Sequence, residues 1–237
     1  MAARDKTIAR AEGSAAVADF LAKASALGEA RRPGERGRLI FALDATMSRQ
    51  PTWDLACRLQ GDMFTEADRI GSLDVQLVYF RGLAECRASK WVSDAGRLGA
   101  LMARIDCRGG NTQIGRVLAH AVAETRRERV RAIVLVGDAM EENVDHLCAL
   151  AGQLALLGVP VFAFQEGHDA IAAQAFREIA RITRGAWCRF DVSAADELAA
   201  LLRAVAADSA GGRAALEDLS GKGGRGARLL LQQLGAP

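Results

Sequence analysis

Short continuous apolar runs alternate along this chain with longer stretches in which apolar residues recur every three or four positions. The runs are too short for helices and read as buried strands, and the periodic stretches read as amphipathic helices. The first run, Arg38-Leu39-Ile40-Phe41-Ala42-Leu43-Asp44, predicts a strand, and Pro51 and Thr52 then open a helix to about Ile70. Val75 to Phe80 is a second strand, Arg81-Gly82-Leu83 a tight turn, and Glu85 to Val92 a third strand, antiparallel because the connection is so short. Ser93 or Asp94 caps a helix in which Leu98, Leu101, Met102 and Ile105 share a face. After the irregular Asp106-Cys-Arg-Gly-Gly-Asn-Thr112 comes a helix with Ile114, Val117, Leu118, Ala121 and Val122 as its stripe. Strands at Arg131–Gly137, Val159–Phe164 and Ala186–Phe190 then alternate with helices at about Glu141–Leu157, Asp169–Arg184 and Ala195–Ala206. Six strands interleaved with helices of this length predict an α/β fold with a mostly parallel sheet covered on both faces.

The ends have a different texture. Residues 1–37 hold one amphipathic candidate, Ser14 to Leu27, followed by a Gly-, Pro- and Arg-rich linker. From residue 207 to 237 the composition shifts to Gly, Ala, Arg and Ser, and this stretch reads as a flexible extension ending in a short apolar helix, Ala227 to Leu234. Residues 38–206 are left as the one sizeable domain that 237 residues comfortably hold.

Charge and cysteine usage narrow the class. Thirty-one basic residues against twenty-nine acidic give +2, so no strong field draws the chain to nucleic acid or a membrane surface. The five cysteines include no C-x-x-C pair, which argues against a zinc site or a disulfide framework. The start carries charges with no apolar segment behind them, and the uncharged run that ends at Gln165 is interrupted by Gly158-Val-Pro160 and does not read as a bilayer span. The expected setting is cytoplasmic.

Candidate chemistry collects where the apolar runs stop. Asp44, Thr46 and Ser48 alternate at the end of the first strand, so an extended backbone points all three oxygens the same way. Thr112 follows a Gly-Gly pair ahead of a helix, and Asp138 terminates the Arg131–Gly137 run. Oxygen donors at strand ends suit a hard divalent cation. Gly221-Lys222 fails as a phosphate loop, because Leu216 stands where the earlier glycine is needed and Gly223 where Ser or Thr is. His120 and His146 lie on helices and His168 precedes one, with no nucleophile partner in view.

Together, Asp44-Ala-Thr-Met-Ser48, Thr112 and Asp138 resemble the metal-ion-dependent adhesion site (MIDAS) of the von Willebrand factor A (VWA) domain, in order, spacing and following element. The resemblance covers residues 38 to 206. It implies a doubly wound, Rossmann-like sheet with one antiparallel edge strand, and a Mg²⁺ or Mn²⁺ ion held by Asp44, Thr46, Ser48, Thr112 and Asp138. Thr46 departs from the usual serine but keeps the hydroxyl, and Gly137 stands where a threonine is more usual. Three neutral hydroxyls and only two carboxylates leave the ion electrophilic, with a position open to a partner's Asp or Glu. The expected function is a protein-binding module, not an enzyme, and Arg49, Arg81 and Arg108 near the metal would favour an acidic partner surface. The family resemblance further points to a bacterial complex containing an AAA+ ATPase. The alternative is a Mg²⁺-dependent hydrolase or phosphatase with Asp44 as nucleophile, but Thr46 stands where such enzymes need a second acid, and Lys90 is the nearest lysine.

Overall fold

The structure is a computed structural model and describes residues 36–53, 73–190 and 217–224. Strands β1 (Gly37–Asp44), β2 (Leu73–Arg81), β3 (Glu85–Ala88), β4 (Ala132–Gly137), β5 (Val161–Glu166) and β6 (Ala186–Phe190) form one sheet in the order β3-β2-β1-β4-β5-β6. All neighbours are parallel except β2 and β3, so the edge strand is antiparallel as expected from the short turn. Helices α1 (Ala95–Met102), α2 (Ile114–Arg127), α3 (Val144–Leu156) and α4 (Ala170–Ile182) alternate with the later strands.

The sheet interior follows from alternation. Ile40 and Ala42 of β1, Val78 and Phe80 of β2, Ile133 and Leu135 of β4, and Val161 and Ala163 of β5 form one cluster with residues of α2, α3 and α4. Leu39, Phe41, Leu43, Leu77, Val134, Phe162 and Phe164, on the opposite face of the same strands, are buried equally well. A strand buried on both faces needs the unbroken apolar run seen in the sequence. Each such Leu or Phe contributes about 1.5–3 kcal/mol through burial, so the strands at the centre of the sheet are the rigid platform for whatever sits at their ends.

The order of strands reverses at β1, which pairs with β2 on one side and β4 on the other. Crevices at the carboxyl ends of such strands are where open α/β sheets receive ligands. Leu43 is opposite Val136, so Asp44 and Asp138 leave adjacent strands almost level with each other.

Several expected boundaries move, each for a local reason. The third strand stops at Ala88 instead of reaching Val92, because the Leu77 N–H donates to the Ser89 hydroxyl (3.0 Å) where a ladder carbonyl would stand. Val92 returns to Val75 as a single bridge. The fifth strand begins at Val161, because the Val159 N–H closes the end of α3 on the Leu154 carbonyl (2.9 Å) after left-handed Gly158 (φ 70°). Helix α3 starts at Val144 behind its cap Asn143, whose side chain accepts from the His146 N–H at 2.9 Å. The residues before it, Glu141 and Glu142, are engaged elsewhere. Helical winding after β1 already begins at Met47, as a 3-10 segment to Thr52.

A short helix at 217–221 lies inside the stretch expected to be a flexible extension. The expected helices at 14–27, 195–206 and 227–234, and most of the one opened by Pro51, lie outside the described residues. No helix among the described residues is long and apolar enough to cross a membrane.

Candidate metal centre

Asp44 is the last residue of β1 and has no exposed surface. Its Oδ1 accepts from the Thr46 N–H at 2.7 Å, which turns the chain so that the Thr46 and Ser48 hydroxyls come within 3.0 Å of each other. Gly137 lies against Asp44 and leaves room for the Phe176 ring. A Cβ there would lie 3.5 Å from Asp44 Cβ, 3.7 Å from Asp44 Oδ2 and 3.3 Å from the Phe176 ring. The departure noted at this position therefore belongs to a tightly filled spot between the Asp44 carboxylate and α4.

Thr112 is clamped to the loop after β4, the loop that begins with Asp138, by bonds that the sequence pattern did not reveal. The Thr112 N–H donates to the Glu141 carboxylate (2.8 Å), and the Glu141 N–H donates back to the Thr112 hydroxyl (3.2 Å). Glu142 takes the next two free donors of the helix start, the N–H groups of Ile114 and Gly115. Helix α2 has no capping bond from its own N-cap, Gln113, so an acidic pair from the loop after β4 serves instead. The signal was present as two consecutive glutamates just after Asp138. Local rules place them at the opening of α3, because acids also favour a helix's own first turn.

The loop between α1 and α2 is pressed against the same corner. The Arg108 N–H donates to the Ala45 carbonyl (3.0 Å), and Gln113 Nε2 donates to the Arg81 and Gly82 carbonyls, both at 3.2 Å. The five candidate residues therefore lie on neighbouring strand ends and on a loop fastened to them. Asp44, Thr46 and Thr112 are buried, Asp138 is half-buried and Ser48 is exposed, so the arrangement opens outward past Ser48.

Electrostatics shows what this donor set favours. Burial pushes the Asp44 carboxyl from 3.8 up to about 6; hydrogen bonds from Thr46 pull it down, the charge of Asp138 raises it, and that of Arg49 lowers it. Asp44 Oδ2 and Asp138 Oδ1 are both buried and accept no hydrogen bond. Two unsatisfied carboxylate oxygens beside clustered hydroxyls are costly unless a cation or donor meets them. A hard divalent ion fits that donor set. No group of three or more His, Cys, Asp or Glu side chains suited to a metal occurs among the described residues, so a cation here would depend on hydroxyls as well as carboxylates.

The arginines require a correction. Arg49 is 1% exposed and pairs with Glu166 at the end of β5. Arg81 is buried too, bonded to Glu85 and Asp106. Neither can meet a partner's acidic surface. Arg108 alone of the three is exposed, and it pairs with Asp106 at 3.0 Å. Polar loop sequence gave no sign that the first two side chains fold inward, because long cationic side chains are seldom fully buried.

The chain matches no family model and no curated protein. Among solved structures it is similar to a von Willebrand factor type A protein from Catenulispora acidiphila, at 17% identity with a TM-score of 0.61, over 75% of this chain and 43% of that one. It is also similar to the SpRpn10 VWA domain, at 14% identity and a TM-score of 0.57, over 70% of this chain and 94% of that one. A third similar structure is proximal thread matrix protein 1 from the mussel byssus with a zinc-occupied MIDAS motif, at 19% identity and a TM-score of 0.56, covering 73% of this chain and 45% of that one. The chain thus spans less than half of the first and third of these proteins. Sheet order, antiparallel edge and these similarities agree that the chain has the fold of von Willebrand factor A domains.

Proposed function

We propose that this chain is a VWA-type protein-interaction module that holds Mg²⁺ or Mn²⁺ with Asp44, Thr46, Ser48, Thr112 and Asp138. The observation that carries this reading is the pair of buried carboxylate oxygens on adjacent strand ends, Asp44 Oδ2 and Asp138 Oδ1, neither of which accepts a hydrogen bond. Bound there, the ion would supply an electrophilic centre whose remaining position takes an Asp or Glu from a partner protein. The protein's part is to fix the donors: β1 aims Asp44, the Asp44–Thr46 turn gathers two hydroxyls, and Glu141 holds Thr112 beside the β4 loop. The zinc in the byssus protein's MIDAS motif supports a divalent ion at this place in the fold. A partner within a bacterial cytoplasmic complex, one containing an AAA+ ATPase, completes the proposal.

The hydrolase alternative gains nothing from the structure. Asp44 is wholly buried, and Thr46 rather than an acid stands two residues on. We therefore propose a non-enzymatic role.

The test is titration of Mg²⁺ and Mn²⁺ into the full chain by calorimetry, beside Asp138→Ala. Saturable binding by the wild type that the variant loses supports the site. Equal heats from both, or none from the wild type, reject it.

A further inference from the structure

Arg49 immediately follows the last motif hydroxyl, and its guanidinium is wholly buried and ion-paired with Glu166. A cation of the protein's own, placed behind a cation site, works against metal binding. A neutral side chain of similar length would fill the space without that penalty. Arg49 lies one residue beyond Ser48 and out of contact with solvent, so its charge acts on the site through the low-dielectric interior. Glu166 ends β5 and projects from the far side of β4, so the pair spans from the β1 loop across the strand end that carries Asp138.

We propose that Arg49 and Glu166 are an internal counter-charge pair that sets the affinity of the cation site, with Glu166 restraining the arginine from competing with the metal for Asp44. The inference rests on the divalent-cation reading above. Counted as formal charges, Asp44, Asp138 and Glu166 against Arg49 leave two negative charges, which one divalent ion cancels. Changing either member of the pair shifts that balance, and the two changes act in opposite directions. Without Glu166 the guanidinium charge is no longer offset and opposes the metal. Without Arg49 the site gains a negative charge and attracts it.

The experiment measures Mg²⁺ affinity of the full chain by calorimetry, with Mn²⁺ affinity by electron paramagnetic resonance as a second probe. Glu166→Gln is expected to weaken binding by roughly tenfold and Arg49→Met to tighten it by a similar factor. Arg49→Lys, which keeps the charge, is expected to stay within about twofold of wild type. A pair that only holds the fold together would lower thermal stability in both variants and move affinity the same way or not at all. That result overturns the proposal. If Arg49→Met fails to fold, the contrast between Glu166→Gln and Arg49→Lys decides, and equal affinities in those two overturn it as well. A wild-type chain that binds no cation defeats the underlying site reading instead, and is recognised by the absence of any titration to modify.

Discussion

Substituting Gly110 by alanine is expected to damage both stability and the candidate site, while the same change at its neighbour Gly109 is expected to be silent. A Cβ on Gly110 would lie 2.1 Å from the Gly82 carbonyl oxygen, 2.2 Å from its carbon and 2.4 Å from its Cα. Ordinary contact begins near 3.4 Å, so the two backbones must part by about 1.3 Å. No flexible side chain is available to yield. Gly110 is not among the glycines with positive φ, so the effect is steric and not a matter of backbone preference. Overpacking of this kind costs about 1–3 kcal/mol, and a domain of this size loses roughly 2–4 °C of Tm per kcal/mol. The displaced segment is the one in which Asn111 donates to the Gly82 carbonyl (3.3 Å), one residue before Thr112. Moving it shifts the Thr112 hydroxyl, and an altered support of this kind typically weakens metal affinity by about tenfold or more. A Cβ on Gly109 meets nothing within 4 Å. Urea unfolding and Mg²⁺ titration of both variants provide the comparison. Coincident unfolding curves for the two would refute the claim that this close approach holds the loop.

Two further outcomes follow from the same corner. Glu142→Ala removes the acceptor for the Ile114 and Gly115 N–H groups and is expected to cost about 1–2 kcal/mol in chemical denaturation, the scale of a lost helix cap; an unchanged midpoint would show that water caps α2 equally well. In EDTA, stability is expected to fall as pH rises from about 4 to 6 or above, because Asp44 is held near 6 in the folded chain against 3.8 when free, so the folded state binds more protons across that window. The difference amounts to about 3 kcal/mol. Asp44→Asn should remove this part of the slope, and an identical pH profile for wild type and variant would contradict it.

The sheet was legible because its strands are buried on both sides, which forces runs such as Leu39–Leu43 and Ile133–Val136 to be apolar throughout. The antiparallel edge was legible from the length of the Arg81–Leu83 turn, which is too short for a crossover. The carboxylates were visible because each terminates such a run. What the pattern concealed was every role that depends on a partner distant in sequence. Arg49 looked solvated until Glu166, more than a hundred residues later, proved to lie beside it. Glu141 and Glu142 fit the start of their own helix by local rules, yet they serve a different one. Ser89 reads as an ordinary strand residue, but its hydroxyl replaces a ladder carbonyl and stops β3.

The mutual bonds between Thr112 and Glu141 have a mechanical meaning. They make the segment that begins α2 and the loop that follows β4 a single jaw, and the turn after β1 forms the other. Force applied at this corner would reach the starts of α2 and α3 together, since neither can yield alone without first breaking this doubled link. How firmly this corner holds its shape is therefore set by the bonds behind the candidate oxygens as much as by the oxygens themselves.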